Sequence, residues 1–225
     1  MLSLETRTPL RQAPKAQRAT QCVDFIAGLA LPGFSMPFAR DAEIFGEGEP
    51  ADFAYKVVSG VVRTLRLLND GRRQISGFYF AGDIFGIEPT EQHSHSAEAV
   101  TPVEIALVRQ SALTKRSTES PTAARELWVA SSEELRRARS HILLLGRQTA
   151  LERVANFLLQ MAHRQANSLT IALPMSRTDI ADYLGLTIET VSRTLSQLER
   201  DGAIALANCK NVKILDRTLL ERSEV

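Results

Sequence analysis

The sequence predicts an α+β protein in which two domains are joined by one long helix, and three patterns predict it. Between Phe34 and Val108 short apolar runs are punctuated by turn residues, with Asn69-Asp70-Gly71 the strongest hairpin signal. From Pro121 to Arg147 apolar residues recur at three-four spacing. Between Met175 and Ile204 two short amphipathic helices meet at a glycine corner, which is the pattern of a helix-turn-helix. A chain of 225 residues is long enough for each domain to bury its own core.

Taken in order, residues 1–20 hold Pro9, Pro14 and four basic side chains with neither a helical nor a strand period. They read as a flexible arm, with a regulatory or nucleic-acid-touching tail as the alternative. The arm lacks an apolar h-region, so it is not a secretion signal, and no apolar stretch anywhere is long enough to span a membrane. Cys22–Leu31 is expected to be a short helix closed by Pro32-Gly33. Phe53–Val58 and Val61–Leu68 then alternate around Ser59-Gly60. Gln74–Phe80 returns from the Asn69 turn, and Val103–Val108 closes the series after Thr101-Pro102. Short strands at regular spacing predict a small antiparallel barrel or jelly roll over residues 21–115.

Residues 116–147 are assigned to a dimerisation helix. Trp128, Ser131, Leu135, Ala138, Ile142 and Leu145 form its heptad seam, Arg136, Arg137 and Arg139 lie outside it, and Gly146 is expected to end it. Packing of this stripe on its own barrel is the alternative. Residues 148–225 form the last domain. Thr149–Gln165 is a helix with Leu151, Val154, Ala155, Leu158 and Met161 inward. Ser176 caps the next helix, Gly185 ends it in a left-handed turn, and Thr187 caps a second helix built on Val191, Leu195 and Leu198. Ile204–Leu206 and Val212–Leu215 flank a polar tip, giving a wing, and the chain ends in a short tail or helix.

Ile188, Glu189, Ser192, Arg193 and Ser196 occupy the face of that second helix turned away from its apolar stripe, near the end that enters the major groove in a helix-turn-helix. Arg193 offers paired donors to guanine N7 and O6, Glu189 accepts from cytosine N4, and Ser192 suits several bases. One turn apart, Glu189 and Arg193 are expected to pair; on an isolated helix such a face would be ordinary solvated surface. Arg177, Arg193, Arg200 and Lys210 are the placed cations for phosphate contacts. Residues 166–225 carry 7 basic and 8 acidic side chains, a balance that argues against purely electrostatic DNA binding.

The composition, 44% hydrophobic and 24% charged, is that of an ordinary soluble domain. Cys22 and Cys209 are far apart without metal-like spacing, which predicts reduced thiols and a cytoplasmic location. Cys209, beside Lys210, is the candidate redox cysteine, with an incidental thiol as the alternative. No paired carboxylates, nucleophile elbow, phosphate loop or metal-ligand set stands out, so no catalytic activity is expected.

The run LGLTIETVSRTLSQLE resembles the recognition segment of the CRP/FNR family of bacterial transcription regulators, especially its FNR and FixK branches. The family's glutamate, two residues, then serine-arginine fall on Glu189, Ser192 and Arg193, and Ile188 stands where CRP carries an arginine. The resemblance implies that these residues read a two-fold symmetric site with TTGAT-like half-sites. The β-rich half resembles the family's cyclic-nucleotide-binding roll, in which a Gly-Glu pair meets the ribose and an Arg-Ser-Ala run holds the phosphate. Here those positions hold Gly86-Ile87, with Glu88 one place late, and His95-Ser96-Ala97. The ribose acceptor and the phosphate cation are both replaced, so no cofactor or bound nucleotide is expected. His93 and His95 make too small a ligand set for a metal or haem.

FNR proper holds an iron–sulfur cluster through N-terminal cysteines. Cys22 alone cannot do so, which points to the FixK-like branch. That branch implies a homodimer that activates low-oxygen respiration and nitrogen-fixation genes. Its partners would be palindromic double-stranded DNA, its own second copy and RNA polymerase, and no membrane. A regulator gated by a small molecule is the rival.

Overall fold

The protein is described from a computed structural model that covers residues 21–26, 29–166, 168–208 and 210–222. The expectations for the arm at 1–20 and for Cys209 lie outside the described residues. Strands β1 (Gln21–Ile26) and β2 (Leu29–Phe38) pair antiparallel, in place of the helix expected over Cys22–Leu31. The residues follow a period of two: Cys22 and Asp24 are exposed, while Phe25, at the alternate position, is buried with Leu31. Cys22 therefore lies on the outer face of a strand.

The roll continues through β3 (Glu43–Phe45), β4 (Phe53–Ser59), β5 (Val61–Leu67), β6 (Arg73–Phe80), β7 (Ile84–Phe85), β8 (Ser96–Ala99) and β9 (Val103–Arg109). Its two sheets run β1-β2-β9-β4-β7 and β3-β8-β5-β6, and every described pairing is antiparallel. Inward residues from both sheets, among them Val57, Val62, Ala97, Ala99 and Ile105, are fully buried and fill the roll. The chain leaves through α1 (Gln110–Glu119), a helix that the sequence reading did not separate from the barrel.

The long helix α2 (Pro121–Arg147) starts as expected: the Ser120 side chain accepts from the Ala123 N–H, and Pro121 occupies the first turn. It runs through Gly146 instead of ending there. Mid-helix glycine lowers stability by about 1 kcal/mol relative to alanine, too little to break a 27-residue helix that is packed at both ends. Then α3 (Ala150–Arg164) begins in a capping box between Thr149 and Glu152. It buries Val154, Ala155, Phe157, Leu158 and Met161.

The last domain adds β10 (Thr170–Ala172), α4 (Arg177–Leu184), α5 (Ile188–Arg200), β11 (Ile204–Leu206), β12 (Asn211–Ile214) and α6 (Arg217–Arg222). The wing is three-stranded, in the order β10-β12-β11, one strand more than the sequence shows. Three residues with one inward side chain, Ile171, carry too short a period to be read.

Candidate nucleic-acid interface

The helix-turn-helix is built from local chemistry at both of its joints. At the start of α4 the Ser176 side chain accepts from the Asp179 N–H at 3.0 Å, and Asp179 Oδ2 accepts from the Ser176 N–H at 3.0 Å. At its end Gly185 takes φ +62°, and the Leu186 N–H reaches back to the Ala181 carbonyl at 3.0 Å. Leu145 Cδ2 would lie 3.3 Å from a Cβ at position 185, so glycine answers both the backbone conformation and the close approach. Thr187 caps α5 by accepting from the Thr190 N–H, and Val191, Leu195 and Leu198 turn into the core. Burial of Ile180, Ala181 and Leu184 on α4 completes the packing.

This arrangement leaves Ile188, Glu189, Ser192, Arg193 and Ser196 together on the exposed face of α5. Their chemistry differs from the expectation in one respect: Glu189 and Arg193 do not close into a salt bridge. Glu189 lies at the first turn, where its own backbone N–H, then the Thr187 hydroxyl, and more weakly Arg193 hold its carboxyl below the usual range. It is therefore an anion with acceptor capacity and no proton to donate. Ser192 donates its hydroxyl to the Ile188 carbonyl at 2.8 Å, which leaves its lone pairs pointing outward. Arg193 is exposed and enters no salt bridge, so its donors are available. At the wing tip the Asn208 side chain accepts from the backbone N–H groups of Lys210 and Asn211, and Lys210 is exposed there. Arg177 sits half-buried in the first turn of α4.

Along α2, Trp128, Ser131, Leu135, Ala138 and Ile142 are exposed, with Trp128 70% and Ile142 67% open to solvent. Val129 and Leu143 widen this apolar strip. Leu145 leaves it: half-buried, it packs against the core of its own DNA-binding domain beside Gly185. A heptad pattern identifies an apolar face, and near the end of a helix two neighbours compete for it.

In the roll, Ile87 packs into an apolar cluster with Phe25, Leu31 and Leu113. Glu88 Oε1 accepts from the Ser94 hydroxyl at 3.1 Å. His93 is buried and stacked on Phe45 with ring centroids 3.7 Å apart. Burial holds the pKa of both His93 and His95 below the usual value. A cavity of about 220 Å³ lies between the roll and α2, lined by Tyr79, Glu88, His95, Ser131 and Glu134 among others. Among the described residues no group of three or more His, Cys, Asp or Glu is placed to hold a metal ion, and no helix is long and apolar enough to cross a membrane.

The sequence reading also missed the residues that tie these parts together: Arg63, Arg73 and Gln74 of the roll and His141 of α2, all bonded to α4. They lie 42 to 116 positions from their partners, so no local pattern marks them.

A β-roll, a long helix with an open apolar strip and a winged helix-turn-helix together define a DNA-binding transcription regulator. The Crp-like helix-turn-helix domain matches residues 152–223, and the cyclic nucleotide-binding domain matches residues 36–117. The nitrogen fixation regulation protein FixK of Azorhizobium caulinodans is 47% identical over 92% of this chain and 84% of its own length. FixK of Rhizobium meliloti is 43% identical over 84% of this chain and 86% of its own. The structure of FixK2 from Bradyrhizobium japonicum superposes with a TM-score of 0.83 at 46% identity, covering 87% of this chain and 98% of that one. The chain belongs to the CRP/FNR family of transcription regulators, on its FixK-like branch.

Proposed function

We propose that the protein is a cytoplasmic homodimeric activator of genes for low-oxygen respiration and nitrogen fixation. It reads an FNR-type palindrome with TTGAT-like half-sites and makes contact with RNA polymerase at the promoter. The observation that carries this reading is the exposed N-terminal face of α5, where Glu189 supplies an anionic acceptor, Ser192 free lone pairs and Arg193 free paired donors. Ile188 and Ser196 flank them, and Arg177 and Lys210 are assigned to the phosphates. Trp128, Ser131, Leu135, Ala138 and Ile142 are assigned to the two-fold interface, because solvent-exposed apolar side chains aligned on one helix are stabilised by a second copy. The relatives named FixK are nitrogen fixation regulation proteins, which supports the target genes. No catalytic activity is assigned, since the relatives are regulators.

The roll is read as effector-free. The cavity beside His95 is lined by the carboxylates of Glu88 and Glu134 and by no Arg or Lys, which is unfavourable for a phosphodiester. The test of the whole reading is footprinting on genomic DNA: protected sites that align to an FNR-type palindrome support it, and protection without such a sequence overturns it.

A further inference from the structure

The side of α4 that faces the roll is held by charges. Asp179 is 3% exposed and divides its carboxylate between two tasks. Oδ2 completes the cap at Ser176, while Oδ1 accepts from Arg63 at 3.1 Å and from Arg73 at 2.6 Å, both on the β5–β6 hairpin. Burial alone would raise this carboxyl, but the bonds from Ser176 and the charges of Arg63 and Arg73 outweigh it and hold it below the usual range. One turn on, Asp182 accepts from Arg73 Nε at 2.8 Å, and its backbone carbonyl accepts from the Gln74 side chain at 2.8 Å. Arg63 is braced from behind by Glu98, at 2.6 and 2.9 Å, and by Asp41.

The far end of α4 is held from the other side. Arg153 of α3 donates to the carbonyls of Leu184, Leu145 and Gln148, each at 2.9 Å, so one guanidinium joins the C-terminal ends of α2 and α4. His141 of α2 meets the Tyr183 carbonyl at 2.7 Å. The helix that leads directly into the reading helix is thus fixed at its first turn to the roll and at its last turn to α2.

We infer that Arg73 and Gln74, with Arg63 behind them, are positioning residues for DNA recognition: this polar clamp sets the angle of α5 relative to α2 without a ligand. The inference rests on the reading of α5 as the DNA reader. Two readers must meet two half-sites at one fixed spacing, so any freedom of α4 lowers the fraction of dimers that fit. A clamp made of buried, mutually bonded groups restricts that freedom more than it stabilises the fold, because desolvation offsets most of the attraction.

The experiment is a titration of the palindrome by full-length wild type, Arg73→Ala, Arg73→Lys and Gln74→Ala at several salt concentrations, with thermal melts of each. Arg73 is a quarter exposed, and its removal leaves Asp179 paired with Arg63 and capped, so the fold persists. If each released reader is aligned about a third of the time, Arg73→Ala weakens the dimer about tenfold. Arg73→Lys recovers part of that, Gln74→Ala loses less, and the slope of log affinity against log salt stays that of the wild type. Gln74→Ala removes no charge and guards against any misfolding of the Arg73 variants. If Arg73→Ala and Gln74→Ala both bind within twofold of the wild type, the clamp does not position the reader. A slope reduced by about 0.9 in Arg73→Ala would make Arg73 a phosphate contact and equally overturn the inference. A wild type that fails to bind the palindrome overturns the reading of α5 and this inference together.

Discussion

The imidazole of His141 lies flat on the ring of Tyr183, with centroids 4.1 Å apart and planes 5° from parallel, and joins α2 to α4. Burial depresses the pKa of His141, opposed by its bond to the Tyr183 carbonyl, and burial likewise depresses His93 and His95. A histidine that stays neutral longer in the folded chain makes the unfolded chain the better proton binder between the two pKa values. The contribution is therefore complete above the ordinary histidine value of about 6.5 and is lost as pH falls below it. The melting temperature is expected to drop between pH 7 and pH 5.5, less so in His141→Phe. A wild-type melting temperature that is flat or rising over that interval would contradict the burial of these rings.

Arg193→Ala is expected to remove specific DNA binding and leave the fold intact. The side chain is exposed and enters no salt bridge, so its loss should move the melting temperature little. A good bidentate base contact is worth about 1–3 kcal/mol of discrimination, and a dimer loses it twice. Gel-shift affinity within twofold of the wild type would take this helix out of the groove.

Leu135→Glu combined with Ile142→Glu is expected to give monomers, because four carboxylates would meet across the two-fold axis. Both positions are exposed within the single chain, at 51% and 67%, so neither change disturbs the protomer core. Leu145→Glu is the wrong probe: it would damage the packing of the DNA-binding domain around Gly185. Light scattering that still reports twice the protomer mass would remove α2 from the interface.

These cases show where the sequence is legible. Ser176, Asp179, Gly185 and Thr187 act on neighbours within four positions, and their capping and turn chemistry is read directly from residue type and spacing. The hairpin at Asn69-Asp70-Gly71 is equally local. The hairpin of β1 and β2 is misread because a short run with apolar residues close together satisfies a helical period as well as a two-residue one, and β2 is settled by its pairing with β9, far along the chain. Leu145 fails for a related reason, since periodicity finds the apolar face and cannot name its neighbour. The clamp on Asp179 is illegible, because nothing in the sequence brings Arg63 and Arg73 beside a helix more than a hundred residues away.

DNA binding is expected to be independent of cyclic nucleotide. The position that would accept the ribose is Ile87, whose side chain packs with Phe25 and Leu113. The position that would neutralise the phosphate is His95, held mainly neutral at pH 7 by burial and bonded through Nδ1 to the Ser94 hydroxyl at 3.0 Å. Gly86 takes φ +70°, and a Cβ there would lie 2.6 Å from the Tyr55 ring, so the turn leading to Ile87 is held tightly against the roll's own aromatic core. His93, stacked on Phe45, occupies that same interior. An effector shifts an equilibrium only by its difference in affinity for the two states, and a roll without a phosphate cation offers cyclic nucleotide little affinity in either. The measurement is the affinity of dialysed wild-type dimer for the palindrome with and without millimolar cyclic AMP or cyclic GMP. A change below twofold is expected. Tightening of tenfold or more, about 1.4 kcal/mol, would show that the roll still binds nucleotide and that the clamped arrangement is not the resting reader.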